Sequence, residues 1–598
     1  MNVGRIKQGG ADPGSAAGAF VAKLRAWALA ELLSFAIVAA AATWPLVRHV
    51  DTHLPLGTEP AATVPLFTAW TVWWNADRAA QGYRDYWDAP IFAPTSGAFA
   101  FSEPMPSTAV VAPLVWLAGN PILAHNCFLL AALTLNGWTT FQLLRSLRMR
   151  WLVCLLGGGS VEMLPLVHSE LGVLQMVPLC GTVWTIHALY LFGQRPGLRR
   201  ALMLAAAFAA TYLTCAYYGL FLSLLLLPAA PWLLATHLRR VRTWYLLAGS
   251  AGVTLLLVAP VIAAQMRVIR THDLRRDPDW VTRLAAAPRD YAVTPWPPLF
   301  EPDFAAARRA QSYFRLNPGW WKIGLAALGI GAGLWWRRHR RWTAFCLTLL
   351  GAAFVLSLGP RLAWGGWSPY VLLMEWYPGM AQARNAYRFA VFFQLAVALL
   401  AAVGLQFVCG QVCGSRRHSR SLISPRSGLP SLFTWLRRSR SSRLRWAFVA
   451  GIGLLAAAEV HPPAQNLFAV PLGDAQRGWI AWLQTQTPAD SVIACIPFPQ
   501  GSGVKDYEQT ALWMLWGTRH QRRMVNGYSG FFPKSFLETK AALQKFPDAA
   551  SVQRLRDIGA TYCVVRRAAR ATEMAEAPEF ELVFEDEQTW VDVYRLRP

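Results

Sequence analysis

Carboxylates gather where they could take a proton from a hydroxyl. Glu59 stands in Leu-Gly-Thr-Glu-Pro, Asp88 in Asp-Tyr-Trp-Asp-Ala-Pro and Glu103 in Phe-Ser-Glu-Pro, all soon after the first long apolar run, with Asp77 and Asp85 beside Arg78 and Arg84. A carboxylate held at the edge of hydrocarbon either gains a raised pKa by desolvation or pairs with an arginine, and both arrangements suit general-base work. His168 and Glu170, in Pro165-Leu-Val-His-Ser-Glu, stand at i and i+2. That spacing does not share a helix face, so it assigns no metal. Arg384 and Arg388, in Ala383-Arg-Asn-Ala-Tyr-Arg-Phe, stand at i and i+4 and would share one face if helical. The pair fits two-point contact with a phosphate, and equally a structural pairing with nearby carboxylates.

What must hold these groups is a membrane. Of the 598 residues, 54% are hydrophobic and 15% charged, against about 25% charged in an ordinary soluble domain. The 29 tryptophans fit a chain with many positions at an apolar–water boundary. Apolar runs near Trp27–Val47, Pro121–Leu144, Leu152–Val167, Leu174–Phe192, Ala201–Tyr217, Gly219–Ala235, Trp244–Ala264, Gly319–Trp336, Trp342–Leu358, Arg388–Cys409 and Trp446–Val460 predict about eleven transmembrane helices. Met105–Leu117 is shorter and reads as an interfacial or re-entrant helix.

Charge sets the orientation. The whole excess, 57 basic against 33 acidic residues, falls within residues 1–461, because 462–598 carry 15 of each. Basicity thus belongs to the apolar part, which argues against nucleic acid as a partner. With eleven crossings, the segments on one side are the N-terminus, Arg145–Arg150, Gln194–Arg200, His237–Thr243, Arg337–Arg341 and Gly410–Arg445. They hold 26 Lys and Arg and a single acid, Asp12. By the positive-inside rule that side is cytoplasmic. The loops 48–104 and 265–318 and the C-terminal region 462–598 are then outside.

Residues 1–22 are Gly/Ala-rich and predict a disordered cytoplasmic arm rather than a cleaved signal. Gly410–Arg445 predicts a basic cytoplasmic loop. Residues 462–598 predict a small extracytoplasmic α/β domain, with helices at Trp479–Thr485, Tyr507–Thr518 and Ala549–Ile558. Its extended stretches fall at Ser491–Pro497, Met524–Tyr528, Thr561–Arg566, Glu581–Glu585 and Trp590–Leu596. The nine cysteines show no CxxC and no zinc spacing, and only Cys495 and Cys563 could pair outside the membrane. Thr63–Ala80, with Phe67, Trp70, Trp73 and Trp74, predicts a helix lying in the headgroup plane or a packed loop helix. Tyr86, Trp87, Phe92, Phe99 and Phe101 could stack on a sugar or anchor the loop. Asn526, Gly527, Tyr528 and Gly530 form a turn-rich segment that suits acceptor recognition or a lid, or a purely structural turn.

The segments Leu54-Pro-Leu-Gly-Thr-Glu-Pro60, Tyr86-Trp-Asp-Ala-Pro-Ile-Phe-Ala-Pro-Thr95, Ala100-Phe-Ser-Glu-Pro104 and Val525-Asn-Gly-Tyr-Ser-Gly-Phe-Phe-Pro533 are similar to a group of bacterial membrane proteins of the GT-C type. Together with the predicted threading, the chain resembles the GT-C superfamily of polytopic glycosyltransferases. The resemblance implies a helical polytopic fold in a bacterial inner membrane, with the N-terminus cytoplasmic and the C-terminus outside. It implies a donor sugar on a polyprenyl-phosphate carrier, a glycan, lipid or protein acceptor, and inversion by direct displacement. The family's general base falls on Glu59, a Glu where Asp is common, with Asp88 and Glu103 as alternatives. Arg384 and Arg388 match the residues that hold the carrier phosphate, and His168, Glu170 and Tyr528 would line the same cavity. No cofactor and no metal is assigned. The alternatives are a non-catalytic scaffold displaying the C-terminal domain, or a transporter. A transporter fits less well, since no internal repeat stands out and the apolar runs hold few ionisable groups.

Overall fold

The computed structural model describes residues 13–413, 441–473, 477–568, 573–574 and 576–597. The chain is mostly helical, with a sheet domain at its C-terminal end. Among the described residues, six helices are long and apolar enough to cross a membrane: Pro121–Ser146, Trp151–Ser169, Leu174–Gln194, Ala216–Leu234, Val241–His272 and Ala386–Cys413. The other apolar runs also coincide with helices, at Pro13–Ala42, Leu198–Thr214, Trp320–Trp335, Arg340–Ser357 and Ser442–Ala458. The length and apolar composition of these helices mark a multi-pass membrane protein.

Two helices show what an apolar sequence does in such a bundle. Ala390–Cys413 is buried on every face, and Gly329 and Gly404 let its backbone touch that of Trp320–Trp335, where any Cβ would overlap the opposing chain. Val241–His272 is as apolar yet lies on the outside, with Leu256 74% exposed. An apolar helix that protein does not cover is one that lipid covers.

The first long loop is a structured platform. Strand β1 (His53–Pro55) pairs antiparallel with β2 (Leu467–Ala469), stitching the loop to the start of the C-terminal region. The helix Thr63–Ala80 follows, with Leu66, Trp70, Val72 and Trp74 buried. Its N-terminus is capped from the C-terminal domain, where the Glu508 carboxylate accepts from Ala62 N at 2.7 Å and Val504 O accepts from Thr63 Oγ1 at 2.6 Å. It is therefore a packed helix between two parts of the protein and not one lying free in the headgroup plane. Tyr86, Phe92 and Phe99 are buried in the same seam, and Phe101 is buried in a small cluster with Ala100 and Val268, so these rings serve packing. The Met105–Leu117 stretch is a short 3-10 helix, Pro106–Val111, with Val110 74% exposed, running into a helix Ala112–Ala118 with Leu117 87% exposed.

The C-terminal sheet has the order β4-β3-β5-β7-β6, built from β3 (Val492–Ile496), β4 (Arg523–Met524), β5 (Tyr562–Arg566), β6 (Phe580–Asp586) and β7 (Val591–Leu596). Strands β4, β3 and β5 run parallel, and β7 and β6 are antiparallel to their neighbours. Helices Arg477–Gln486, Glu508–His520 and Ala549–Ile558 match the predicted ones, and Lys534–Ala542 adds another.

Three expectations need correction. The arm read as disordered over residues 1–22 is helical from Pro13, continuous with the helix to Ala42, while residues 1–12 lie outside the described residues. Of the basic loop 410–445, the first residues continue the helix ending at Cys413 and Ser442 opens the next helix; 414–440 lie outside the described residues. The strand read over Met524–Tyr528 stops at Met524, because the Asn526 side chain takes both backbone groups of Cys495, at 2.7 and 2.8 Å. Cys495 and Cys563 are free, buried thiols on neighbouring strands, and Cys563 stands opposite Ala494.

Candidate active site

Glu59 is delivered by a turn that touches a second turn. Gly57 has φ +58°, and a Cβ there would lie 2.5 Å from Ser169 O, so only glycine permits the approach. Thr58 then donates from both its N and its Oγ1 to Ser169 O, each at 2.9 Å. Glu59 and Glu170 thereby come to the same place. Glu170 ends the short helix Pro165–Ser169, which is tied to the buried helix Ala390–Cys413 by Leu166 N donating to Gln394 Oε1 at 3.1 Å.

Just before that buried helix, the 3-10 turn Ala386–Phe389 presents Tyr387 and Arg388 to Glu170. Tyr387 OH donates to Glu170 Oε1 at 2.5 Å and Arg388 Nη2 donates to Oε2 at 3.2 Å. The Arg388 side chain is 9% exposed and its Nε has no partner. The Arg388 guanidinium lies 5.5 Å from the centroid of the Tyr217 ring. Tyr217 stands in the first turn of the helix Ala216–Leu234, whose N-terminus Glu103 caps: Tyr217 N donates to Glu103 Oε1 at 2.9 Å. Glu103 Oε2 is shut off from solvent with no partner.

This packing sets the proton affinities. Burial, and then the charge of Glu170, push the Glu59 carboxyl up to about 7, against the pull of Arg388 and Arg384. Burial likewise pushes Glu103 up to about 7, opposed by the Tyr217 amide, Arg388 and the Ala216 amide. A carboxyl raised towards neutrality can take a proton near physiological pH, and the arginines beside it favour an anion close by.

Arg384 faces the same space, sharing the field of Glu59 and of Tyr528. Its Nε donates to Asn385 Oδ1 at 3.3 Å. The helical i, i+4 pairing with Arg388 does not form, since Asn385 sits at φ −106°, ψ 84° and the helix starts only at Ala390. Tyr528 is held over the first loop by a short inter-domain ladder: Phe92 N donates to Asn526 O (3.1 Å), Ala93 N to Met524 O (2.9 Å) and Met524 N to Pro90 O (3.1 Å). Its ring meets Phe67 edge-on at 5.6 Å.

Two predicted site residues are used elsewhere. His168 is buried within the bundle, with Nε2 at 3.0 Å from Glu162 O at a helix end and Nδ1 without a partner. Asp88 is exposed and accepts from Gly97 N at 2.7 Å, which closes a turn of the first loop. The structure thus gathers Glu59, Glu103, Glu170, Arg384, Arg388 and Tyr528. Sequence reasoning missed Tyr387, inside the motif that supplied both arginines, and Arg276, hidden in the run Arg275-Arg276-Asp277 that reads as solvated loop charge. Among the described residues, no group of three or more His, Cys, Asp or Glu is arranged to hold a metal ion.

A bundle of apolar helices, a long structured loop after the first helix and a sheet domain seated on that loop define a polytopic membrane fold. No family model and no curated protein sequence matches the chain. Among solved structures it is similar to the cryo-EM structure of the arabinofuranosyltransferase AftD from Mycobacteria, with a TM-score of 0.56 and 14% identity. The match covers 96% of this chain and 42% of that one, so the chain spans about two fifths of the relative's length. The two share a fold.

Proposed function

We propose that the protein is an inverting glycosyltransferase that moves a sugar from a polyprenyl-phosphate carrier to an acceptor hydroxyl on a glycan, lipid or protein. The acceptor hydroxyl gives its proton to Glu59 while its oxygen bonds to the anomeric carbon. The bond from that carbon to the phosphate oxygen breaks, and the electron pair stays on the polyprenyl phosphate, where Arg384 meets the developing charge and Arg388, held by Glu170, stands behind it. Glu103 positions the helix end beside Arg388, Glu170 with Tyr387 positions Arg388 itself, and Tyr528 borders the acceptor side.

The observation that carries this reading is Glu59, poised at about 7 in the joint field of Glu170, Arg388 and Arg384. The AftD-like fold supports it, as AftD is an arabinofuranosyltransferase. The same reading takes the chain to cross a bacterial inner membrane eleven times, with the N-terminus in the cytoplasm and the sheet domain outside, on the strength of the 26-to-1 charge asymmetry.

The test compares Glu59→Gln with Asp88→Asn in cells whose own copy is deleted. Glycan composition should be restored by Asp88→Asn and not by Glu59→Gln at equal membrane abundance. Restoration by Glu59→Gln would favour a scaffold that displays the C-terminal domain.

A further inference from the structure

Arg276 stands just beyond the helix Val241–His272, and Arg384 on the approach to the helix Ala390–Cys413. Two hydrogen bonds strap their segments together: Arg276 N donates to Ala381 O at 2.9 Å, and Gln382 Nε2 donates to Leu274 O at 2.9 Å. The strapping holds the two guanidiniums within each other's field, and burial with the Arg384 charge brings Arg276 down to about 10. Like charges held together are unfavourable unless an anion joins them.

Among the described residues, neither arginine forms an ion pair with a carboxylate. Arg276 Nη2 donates to Gly530 O at 2.5 Å, and its guanidinium carbon lies 3.6 Å from the centroid of the Phe531 ring. Its Nε is shut off from solvent and has no partner. Arg388 differs, because Glu170 neutralises it. Spare positive charge at the site thus resides on Arg276 and Arg384.

We propose that Arg276 and Arg384 form the seat of a phosphate dianion, roofed by the Tyr528–Phe531 segment of the C-terminal domain. The inference rests on reading the site as one for a lipid-linked sugar phosphate, and it adds which arginines take the charge and in which state. The donor is a phosphodiester with one negative charge. When the anomeric carbon–oxygen bond breaks, the pair left on the phosphate oxygen gives the leaving polyprenyl phosphate a second. Two spare guanidiniums match the second state better than the first, so the seat favours the leaving group over the donor. Gly530 and Phe531 fix Arg276, which makes the C-terminal domain part of the seat.

The test is thermal unfolding of the full chain in detergent with farnesyl phosphate, its monomethyl ester and farnesol, at about pH 8, where the monoester is a dianion. Farnesyl phosphate should stabilise the protein with an apparent Kd at least about tenfold below that of the methyl ester, and farnesol should do nothing. Arg276→Gln and Arg384→Gln should each weaken farnesyl phosphate by about tenfold or more. Phe531→Leu, which removes the stack and keeps the charge, should lower the ligand-free Tm like Arg276→Gln yet weaken binding less. That comparison separates a charge effect from loosening of the roof. Wild-type binding in both Gln variants, or equal affinity for ester and monoester, would overturn the seat. Loss of binding in Arg388→Gln alone would overturn it too, while leaving the lipid-phosphate reading intact. No stabilisation by either phosphate compound would overturn both.

Discussion

A carboxyl poised at about 7 is mostly acid at pH 6 and mostly carboxylate at pH 8, and a general base works only as the carboxylate. Transfer should therefore rise with pH through about 7. Glu103 titrates in the same range, so a pH–rate profile of Glu103→Gln separates them: the rising limb should persist, and its loss would assign the limb to Glu103. Both groups have folded pKa values above the ordinary 4.5. The folded state therefore holds protons that the unfolded chain releases, and their contribution to stability falls as pH rises from about 4.5 to about 7. Thermal unfolding of Glu59→Gln should lose part of that slope. The transfer rate of the same variant should drop by about 10²–10⁴. Glu59 and Asp88 are equals in the sequence, each in a short loop motif with proline close behind. What separates them is the partner, two arginines and Glu170 for one and a backbone amide for the other, and partners so distant in sequence leave no local mark.

Helix positions were legible because a run of apolar residues long enough to cross a bilayer has few other solutions. What covers a helix was not. Thr63–Ala80 carries an amphipathic pattern that headgroups or a protein partner satisfy equally, and the structure supplies the helix Glu508–His520 as partner. Glu508→Gln keeps the hydrogen bond and removes the charge at the helix N-terminus, so it should cost about 0.3–1 kcal/mol, read as a small fall in Tm. Gly527 makes the sharper case. A Cβ there would come within 2.5 Å of the Phe92 ring, so Gly527→Val should cost about 1–3 kcal/mol by overpacking. Limited proteolysis should then find the C-terminal domain released from the first loop. The end of β4 at Met524 belongs to the same seam, where Pro90 and Ala93 take the backbone groups of Met524 on its outer edge and the Asn526 side chain takes those of Cys495 on the inner one.

At the scale of the molecule, the sheet domain completes the site as well as decorating it: its Tyr528–Phe531 segment reaches Arg276 and Arg384, and its Glu508 holds the platform carrying Glu59. The α/β character of this domain could be read from alternating patterns, but its docking could not, because hydrogen bonds such as that from Ala62 N to Glu508 span more than 400 residues. The proposed orientation rests on charge alone. Reporter fusions after Gly197 and after Arg597 should report opposite sides of the membrane, and matching sides would refute the eleven-helix threading. The most direct measurement of the proposed activity is release of free polyprenyl phosphate. It would use proteoliposomes supplied with the lipid-linked sugar pool extracted from the native membrane and an acceptor fraction. Wild-type protein should release it and Glu59→Gln, folded to the same Tm or above, should not. Equal release by the two proteins, or none by the wild type, would contradict the assignment of this site to sugar transfer.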